Sequence, residues 1–241
     1  MVHAPLPHTN DKCSEARNST ELACNTLSTT PSGVYVPLNL GLGTVSILFA
    51  CLRLIFKRFY GPTGKLGADD WVICGALAIG LPCIVINITG LSAHGLGRDS
   101  WTLPLEEVST FAFYFYVLEV LYLAEIALIK LSLSIFYLHV FPGTTIKHLL
   151  LATAIFNVAF GVAFPVAAIF QCTPVHYYWT RYSSTRSGSC IDIGAFGWAN
   201  ASLSVAVDLW MLVIPLSQVP RLRLHWVKKI GVAIMFFVGT L

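Results

Sequence analysis

The chain has 241 residues, 56% of them hydrophobic and only 11% charged, with a formal net charge of +3. Soluble domains carry about 25% charged residues, so this composition leaves too little polar surface to cover a water-exposed globule. The positive balance is small and dispersed, without the basic runs or aromatic-interleaved basic faces of nucleic-acid binders, which excludes nucleic acid as a partner.

Residues 1–36 are rich in Ser, Thr, Asn and Pro and have no periodic apolar face. They read as a tail separate from a transmembrane domain over 37–241. The tail lacks the apolar core of a cleavable signal peptide, so the first span is expected to act as an uncleaved signal anchor. Asn18-Ser19-Thr20 is an N-glycosylation sequon in this tail, and the protein is expected to be a glycoprotein if the tail is external. The same pattern at Asn87 and Asn200 falls within apolar spans, beyond reach of the modifying enzyme.

Five long apolar stretches follow, near 37–56, 71–93, 111–137, 149–170 and 191–215, and a sixth begins at 230–241. A bilayer core about 30 Å thick needs roughly 20 apolar residues as helix, and helices satisfy their own backbone where water is absent. The expected fold is therefore all-α: a polytopic transmembrane bundle of five full spans plus the start of a sixth, with the lipid bilayer as its partner.

Positive charge sets the expected orientation. Arg53, Lys57, Arg58 and Lys65 follow the first span, Lys130 and Lys147 the third, and Arg221, Arg223, Lys228 and Lys229 the fifth. The alternate segments are poorer in Lys and Arg, which puts the first set in the cytoplasm and the N-terminus outside. Trp71 and Trp226 fall at inner boundaries, and Trp101 with Tyr177, Tyr178 and Trp179 at outer ones, as an aromatic belt requires.

Cysteines agree with that orientation. Cys13 and Cys24 lie in the external tail and Cys172 and Cys190 flank an external loop, an oxidising compartment where disulfides persist. Four cysteines allow three pairings; a Cys172–Cys190 bond is expected. Cys51, Cys74 and Cys83 read as small buried hydrophobes. No Cys/His metal spacing occurs, and neither a metal nor a cofactor is expected.

Inside the spans, Glu119, Glu125, Lys130, Asn200, Ser204 and Asp208 need explanation, because ionisable groups at membrane depth face the bundle interior or a water-filled cavity. Asn200, Ser204 and Asp208 recur every four residues and share one helical side, forming a polar seam. Lys130 lies near enough to the cytoplasmic end to snorkel. Glu125 and Lys130 point about 140° apart, which disfavours a direct pair. The seam could tie helices together, switch a conformation, line a ligand pocket or act in catalysis. Asp69 and Asp70, just before an apolar run, suit a helix N-terminus and also a docking point for a cytoplasmic partner. Pro82, Pro165 and Pro215 each remove a helical hydrogen bond.

Local patterns add to this. Span two is entered through Lys65-Leu-Gly-Ala-Asp69-Asp70-Trp71 and left through His94-Gly-Leu-Gly97. Span three ends Leu128-Ile-Lys130-Leu-Ser132-Leu-Ser-Ile-Phe-Tyr137. Span four leads into Phe170-Gln-Cys172-Thr-Pro174-Val-His-Tyr-Tyr-Trp179. Together these motifs resemble the fungal rhodopsin-domain family over about residues 37–241. The resemblance implies a seven-helix membrane domain, C-terminally incomplete here, in a receptor-like protein of the plasma membrane in filamentous fungi. It implies a sensing or signalling role, not an enzymatic one, with no retinal lysine in reach because that residue belongs to a seventh helix. Two readings of other classes stand beside it. One is a membrane terpene cyclase using Glu119, Glu125 or Asp208 as a buried acid, and the other is a transporter, for which paired broken helices are not evident. The ligand is not identified by the sequence.

Overall fold

A computed structural model describes residues 32–60, 67–94, 96, 103–141, 143–182 and 187–218. The tail with Cys13, Asn18 and Cys24, the residues 219–241, Trp101 and Trp226 lie outside the described residues. Among the described residues five helices are long and apolar enough to cross a membrane. They are α1 (Ser32–Tyr60), α2 (Ala68–Ile86), α3 (Leu105–Val140), α4 (Thr144–Ile169) and α5 (Ile193–Gln218). A π-helical turn, Asn87–Leu91, continues α2. Between α4 and α5 lie a one-turn helix, Tyr177–Thr180, and a two-stranded antiparallel pair, β1 (Cys172–Thr173) and β2 (Ser189–Cys190).

The apolar content is turned outward, as lipid rather than water demands. Leu48, Phe59 and Trp198 are 67%, 77% and 80% exposed, while the fully buried set includes Asp70, Ser134, Asn157 and Gln171. α3 is the centre of the bundle: α2 packs on one flank and α4 on the other, α1 leans on α2, and α5 lies beside α4. Two ends can be distinguished. The basic end holds Lys57 and Arg58 in the last turn of α1 and the start of α4. The opposite, disulfide end holds Cys172 bonded to Cys190. Closing that loop, 18 residues in sequence separation, is worth about 3 kcal/mol in the chain-entropy account.

Small residues let the helices approach. A Cβ on Gly161 of α4 would collide with Cβ of Ala127 on α3, and one on Gly90 would strike the Tyr114 ring. Gly41 of α1 faces open space. Alanine improves helix propensity by about 1 kcal/mol at an interior position, so Gly41→Ala should be neutral or stabilising. Gly161→Ala should instead lose about 1 kcal/mol through overpacking. Unfolding of the purified protein in mixed micelles titrated with SDS would show the opposite signs.

At the basic end Tyr137 and Phe141 from α3, Leu150 from α4 and Val207, Met211 and Ile214 from α5 make one buried apolar cluster. The helix bounds depart from the apolar runs most at α3. It extends from Leu105 to Val140 rather than 111–137, about 54 Å at 1.5 Å per residue. Lys130 is therefore more than two turns inside the helix. It is 6% exposed, which corrects both its assignment to the segment after the third span and the expectation that it snorkels. Tyr178 is also corrected: it is 4% exposed, packed on α3 rather than placed in an interfacial belt. Trp71 does present its ring outward, 69% exposed.

Candidate functional site

Among the described residues most polar side chains inside the bundle gather along α3 or at the link between α1 and α2. At the basic end the last turns of α1 are cationic and the first turn of α2 is acidic, with a short connection that brings them together. Lys57 Nζ lies 2.8 Å from Oδ2 of both Asp69 and Asp70, and an Arg53 guanidinium nitrogen lies 3.0 Å from Asp69 Oδ2. The Gly67 N–H donates to Asp70 Oδ2 at 2.7 Å, so Asp70 also caps α2. The Ser132 hydroxyl of α3 donates to the Asp69 carbonyl at 3.1 Å, and the Arg53 guanidinium sits 5.1 Å from the centre of the Phe136 ring. Both carboxylates are inward-facing, 2% and 0% exposed.

Deeper in the bundle, Lys130 crosses from α3 to α5. Its ammonium donates to the Ser204 hydroxyl at 2.6 Å and the Ser204 carbonyl at 2.8 Å, and lies 3.0 Å from Asp208 Oδ1. Those three contacts match the three donors of an ammonium group. The Asp208 side chain remains 52% exposed. Of the seam expected on α5, Ser204 and Asp208 meet at Lys130. Asn200 does not: its Oδ1 is buried with no hydrogen-bond partner. Glu125 faces the other flank of α3, toward α2, and Gly80 leaves the space it occupies, since a Cβ there would lie 2.5 Å from Glu125 Oε1.

One turn beyond Lys130, Ser134 donates to the Lys130 carbonyl at 2.9 Å and accepts from Asn157 Nδ2 of α4 at 3.0 Å. Asn157 Nδ2 also lies 3.5 Å from Met211 Sδ on α5. Sequence reasoning missed Asn157 and gave Ser134 and Gln171 no role beyond the motifs that contain them. A lone Asn in the middle of a 26-residue apolar helix was the available signal, by the same rule that singled out Asn200.

At the disulfide end the hairpin is laid on α3. Gln171 Nε2 donates to Glu119 Oε2 at 3.0 Å, Tyr116 OH to the Ile169 carbonyl at 3.0 Å, and Ser109 Oγ to the Trp179 carbonyl at 2.7 Å. Burial, and then the Glu119 carboxylate, push the Tyr178 phenol up. The Trp179 ring meets Phe113 and Tyr116 at 5.2 and 5.5 Å between centroids. Pro174 follows Thr173 of β1 and directs the chain into the one-turn helix; its carbonyl accepts from the Tyr177 N–H at 2.9 Å. Chemically, the ion pairs neutralise Asp69, Asp70 and Asp208, and the remaining polar contacts join helices. Among the described residues no three His, Cys, Asp or Glu side chains converge as a metal site would need.

The family described as the fungal rhodopsin domain matches residues 38–241. A SAT4 family membrane protein of Emericella nidulans is 34% identical over 152 residues, 61% of this chain and 38% of that protein. The polyenoic acids biosynthesis gene cluster protein Ba17b of Metarhizium anisopliae is 26% identical over 191 residues, 76% of this chain and 52% of that protein. Fugralins biosynthesis cluster protein 2 of Gibberella zeae is 21% identical over 147 residues, 58% of this chain and 36% of that protein. The chain thus spans about half or less of these curated relatives. No solved structure matches it. The ordered motifs and the match over residues 38–241 establish that this multi-pass membrane chain belongs to the fungal rhodopsin-domain family.

Proposed function

We propose that the chain is the membrane domain of a receptor-like protein of the plasma membrane. In this reading the N-terminal tail with Asn18 is outside, the disulfide end receives a stimulus, and the basic end addresses a cytoplasmic signalling partner. The orientation rests on Arg53, Lys57, Arg58 and Lys147 at the basic end, and holds without Lys130. The observation that carries the reading is α3. One helix is bonded to the disulfide-closed loop through Ser109 and Glu119, to the end of α4 through Tyr116, to α5 through Lys130, and to the α1–α2 ion cluster through Ser132. A displacement of the hairpin therefore reaches the basic end through bonded contacts. Glu119, Glu125, Asn200, Ser204 and Asp208 then set the relative positions of helices and perform no chemistry.

A second reading is favoured by the names of two relatives, which place those proteins in biosynthesis gene clusters. Here the protein would serve metabolite production, and as an enzyme it would use Glu119 as a buried acid toward an isoprenoid epoxide. One experiment separates the two. The full-length gene, wild type or carrying Asp208→Asn, is expressed in a filamentous fungus at matched membrane abundance. Asp208→Asn keeps a hydrogen-bonding group and removes the charge. It should alter the transcriptional response of the host mycelium, while purified membranes leave the epoxide unconverted. An unaltered response together with a cyclised product lost in Glu119→Gln would replace the receptor reading with the enzyme.

A further inference from the structure

Gln171 is where three helices meet at the disulfide end. It follows the C-terminus of α4. Its main-chain carbonyl accepts from the Ile191 N–H, just before α5, at 2.9 Å, and its side-chain Nε2 donates to Glu119 Oε2 of α3 at 3.0 Å. Gln171 is 1% exposed. Its remaining polar atom, Oε1, is buried without a hydrogen-bond partner among the described residues. A buried amide oxygen left without a donor costs more than a typical hydrogen bond returns. Turning the amide over does not cure this. An ionised carboxylate only accepts, so the turned amide would set its own oxygen against another acceptor and lose the bond to Glu119. Neither orientation of Gln171 pairs both ends of its amide with an ionised Glu119.

We propose that Glu119 is a proton-binding site: the folded loop holds it as a neutral carboxylic acid whose O–H donates to Gln171 Oε1, while its Oε2 accepts from Gln171 Nε2. A protonated carboxyl has the one donor that the amide oxygen lacks, and acid and amide then pair through two antiparallel bonds. The proton exchanges with solvent at the disulfide end, and no other reactant takes part. The titratable and charged groups around the pair are few among the described residues. Tyr116, one turn before Glu119, has its phenol on the Ile169 carbonyl. The buried Tyr178 phenol is pushed up and stays neutral where a carboxyl ionises. The Arg181 guanidinium lies over the Tyr178 ring at 5.5 Å and donates to the Tyr182 hydroxyl. Asp192 turns to the start of α5, accepting from the Ala195 N–H at 3.0 Å, and α4 has no titratable side chain after His148. Proton release unpairs Gln171 Oε1 and leaves an anion beside it. The clasp of the loop on α3 is therefore complete with the proton bound and weakens as pH rises through the titration of Glu119. The site stands whether or not the protein signals, so its test is separate from that of the receptor reading.

The test uses the full chain in maltoside micelles, which carry no ester carbonyls, with glutamate labelled with carbon-13 at the side-chain carboxyl. At neutral pH the infrared spectrum of the wild type should contain the carbonyl stretch of a protonated glutamic acid that Glu119→Gln lacks. Gln171→Met, which removes the amide donor, should move that band to higher frequency. Raising the pH should titrate the band away. Over the same interval the Ile191 amide should come to exchange its hydrogen roughly tenfold faster in the wild type than in Glu119→Gln, the scale of one unsatisfied buried acceptor. Glu119→Gln keeps a two-bond amide pair at every pH, and the ratio cancels the intrinsic pH dependence of exchange. No band difference between wild type and Glu119→Gln at neutral pH would overturn the site and leave water as the donor to Gln171. A band that titrates without any change in the Ile191 ratio would overturn the clasp. If Glu119→Gln does not fold, Gln171→Met decides: an unshifted band contradicts the acid–amide pair.

Discussion

Lys57→Met should destabilise the folded protein by about 3 kcal/mol or more, and adding Asp70→Asn to it should recover part of that loss. The two cations of the basic-end cluster are not equivalent. Arg53 reaches only Asp69, whereas Lys57 reaches both carboxylates. Without Lys57, Asp70 keeps its Gly67 N–H but has no described cation, and it is fully buried. An uncompensated buried charge is the expensive outcome, about 3–5 kcal/mol when one partner of a buried pair is removed. The reverse deletion is milder, because Lys57 is 36% exposed and its ammonium can turn to water. Asp70→Asn alone should therefore cost about 1–2 kcal/mol, the range of a weakened cap and one lost charged hydrogen bond. The asparagine still accepts from Gly67, so the double variant is uncharged and capped. Equilibrium unfolding in SDS-containing micelles measures all three. A double variant less stable than Lys57→Met alone would contradict the assignment of the cost to Asp70.

The same cluster shows what the sequence makes legible. Five apolar runs of span length fix the helices because lipid leaves the backbone few alternatives, and the alternation of Lys and Arg locates the basic end. Asp69 and Asp70 are recognisable as the start of α2 from local chemistry alone. Their pairing with Arg53 and Lys57 depends on how the short connection folds back, which no one-dimensional period encodes. Lys130 is misread for a related reason. Composition does not say where an apolar helix stops, and three more residues of α3 beyond Tyr137 turn a residue near an end into one within the bundle. A lysine there can snorkel or pair, and the choice is made by Ser204 and Asp208, on a helix more than 70 residues away in sequence. The spacing of Ser204 and Asp208 marks a polar side of α5, but it extends the seam to Asn200, which Lys130 does not reach. Asn157 carries a signal equal to that of Asn200, but it stands alone in its run and has no period to mark a polar side. The disulfide is legible from the shared compartment of Cys172 and Cys190, whereas the clasp of the hairpin on Glu119 and Tyr116 is tertiary.

The central claim is that Lys130 and Asp208 form an interaction between α3 and α5 within the membrane. Lys130→Met should cost about 2–3 kcal/mol, toward the lower bound for breaking a buried pair, because half of the Asp208 side chain is exposed. Polar contacts between membrane helices average only about 0.6 kcal/mol, and the charge on both partners should raise this one above that level. A double-mutant cycle of wild type, Lys130→Met, Asp208→Ala and the double variant isolates the pair from the remaining Ser204 contacts. Measured by equilibrium unfolding in SDS-containing micelles, the cycle should return a coupling of about 1 kcal/mol or more, well outside the roughly 0.3–0.5 kcal/mol within which independent sites add. Additivity of the two single variants within that margin would show that the two side chains do not interact and would contradict the account.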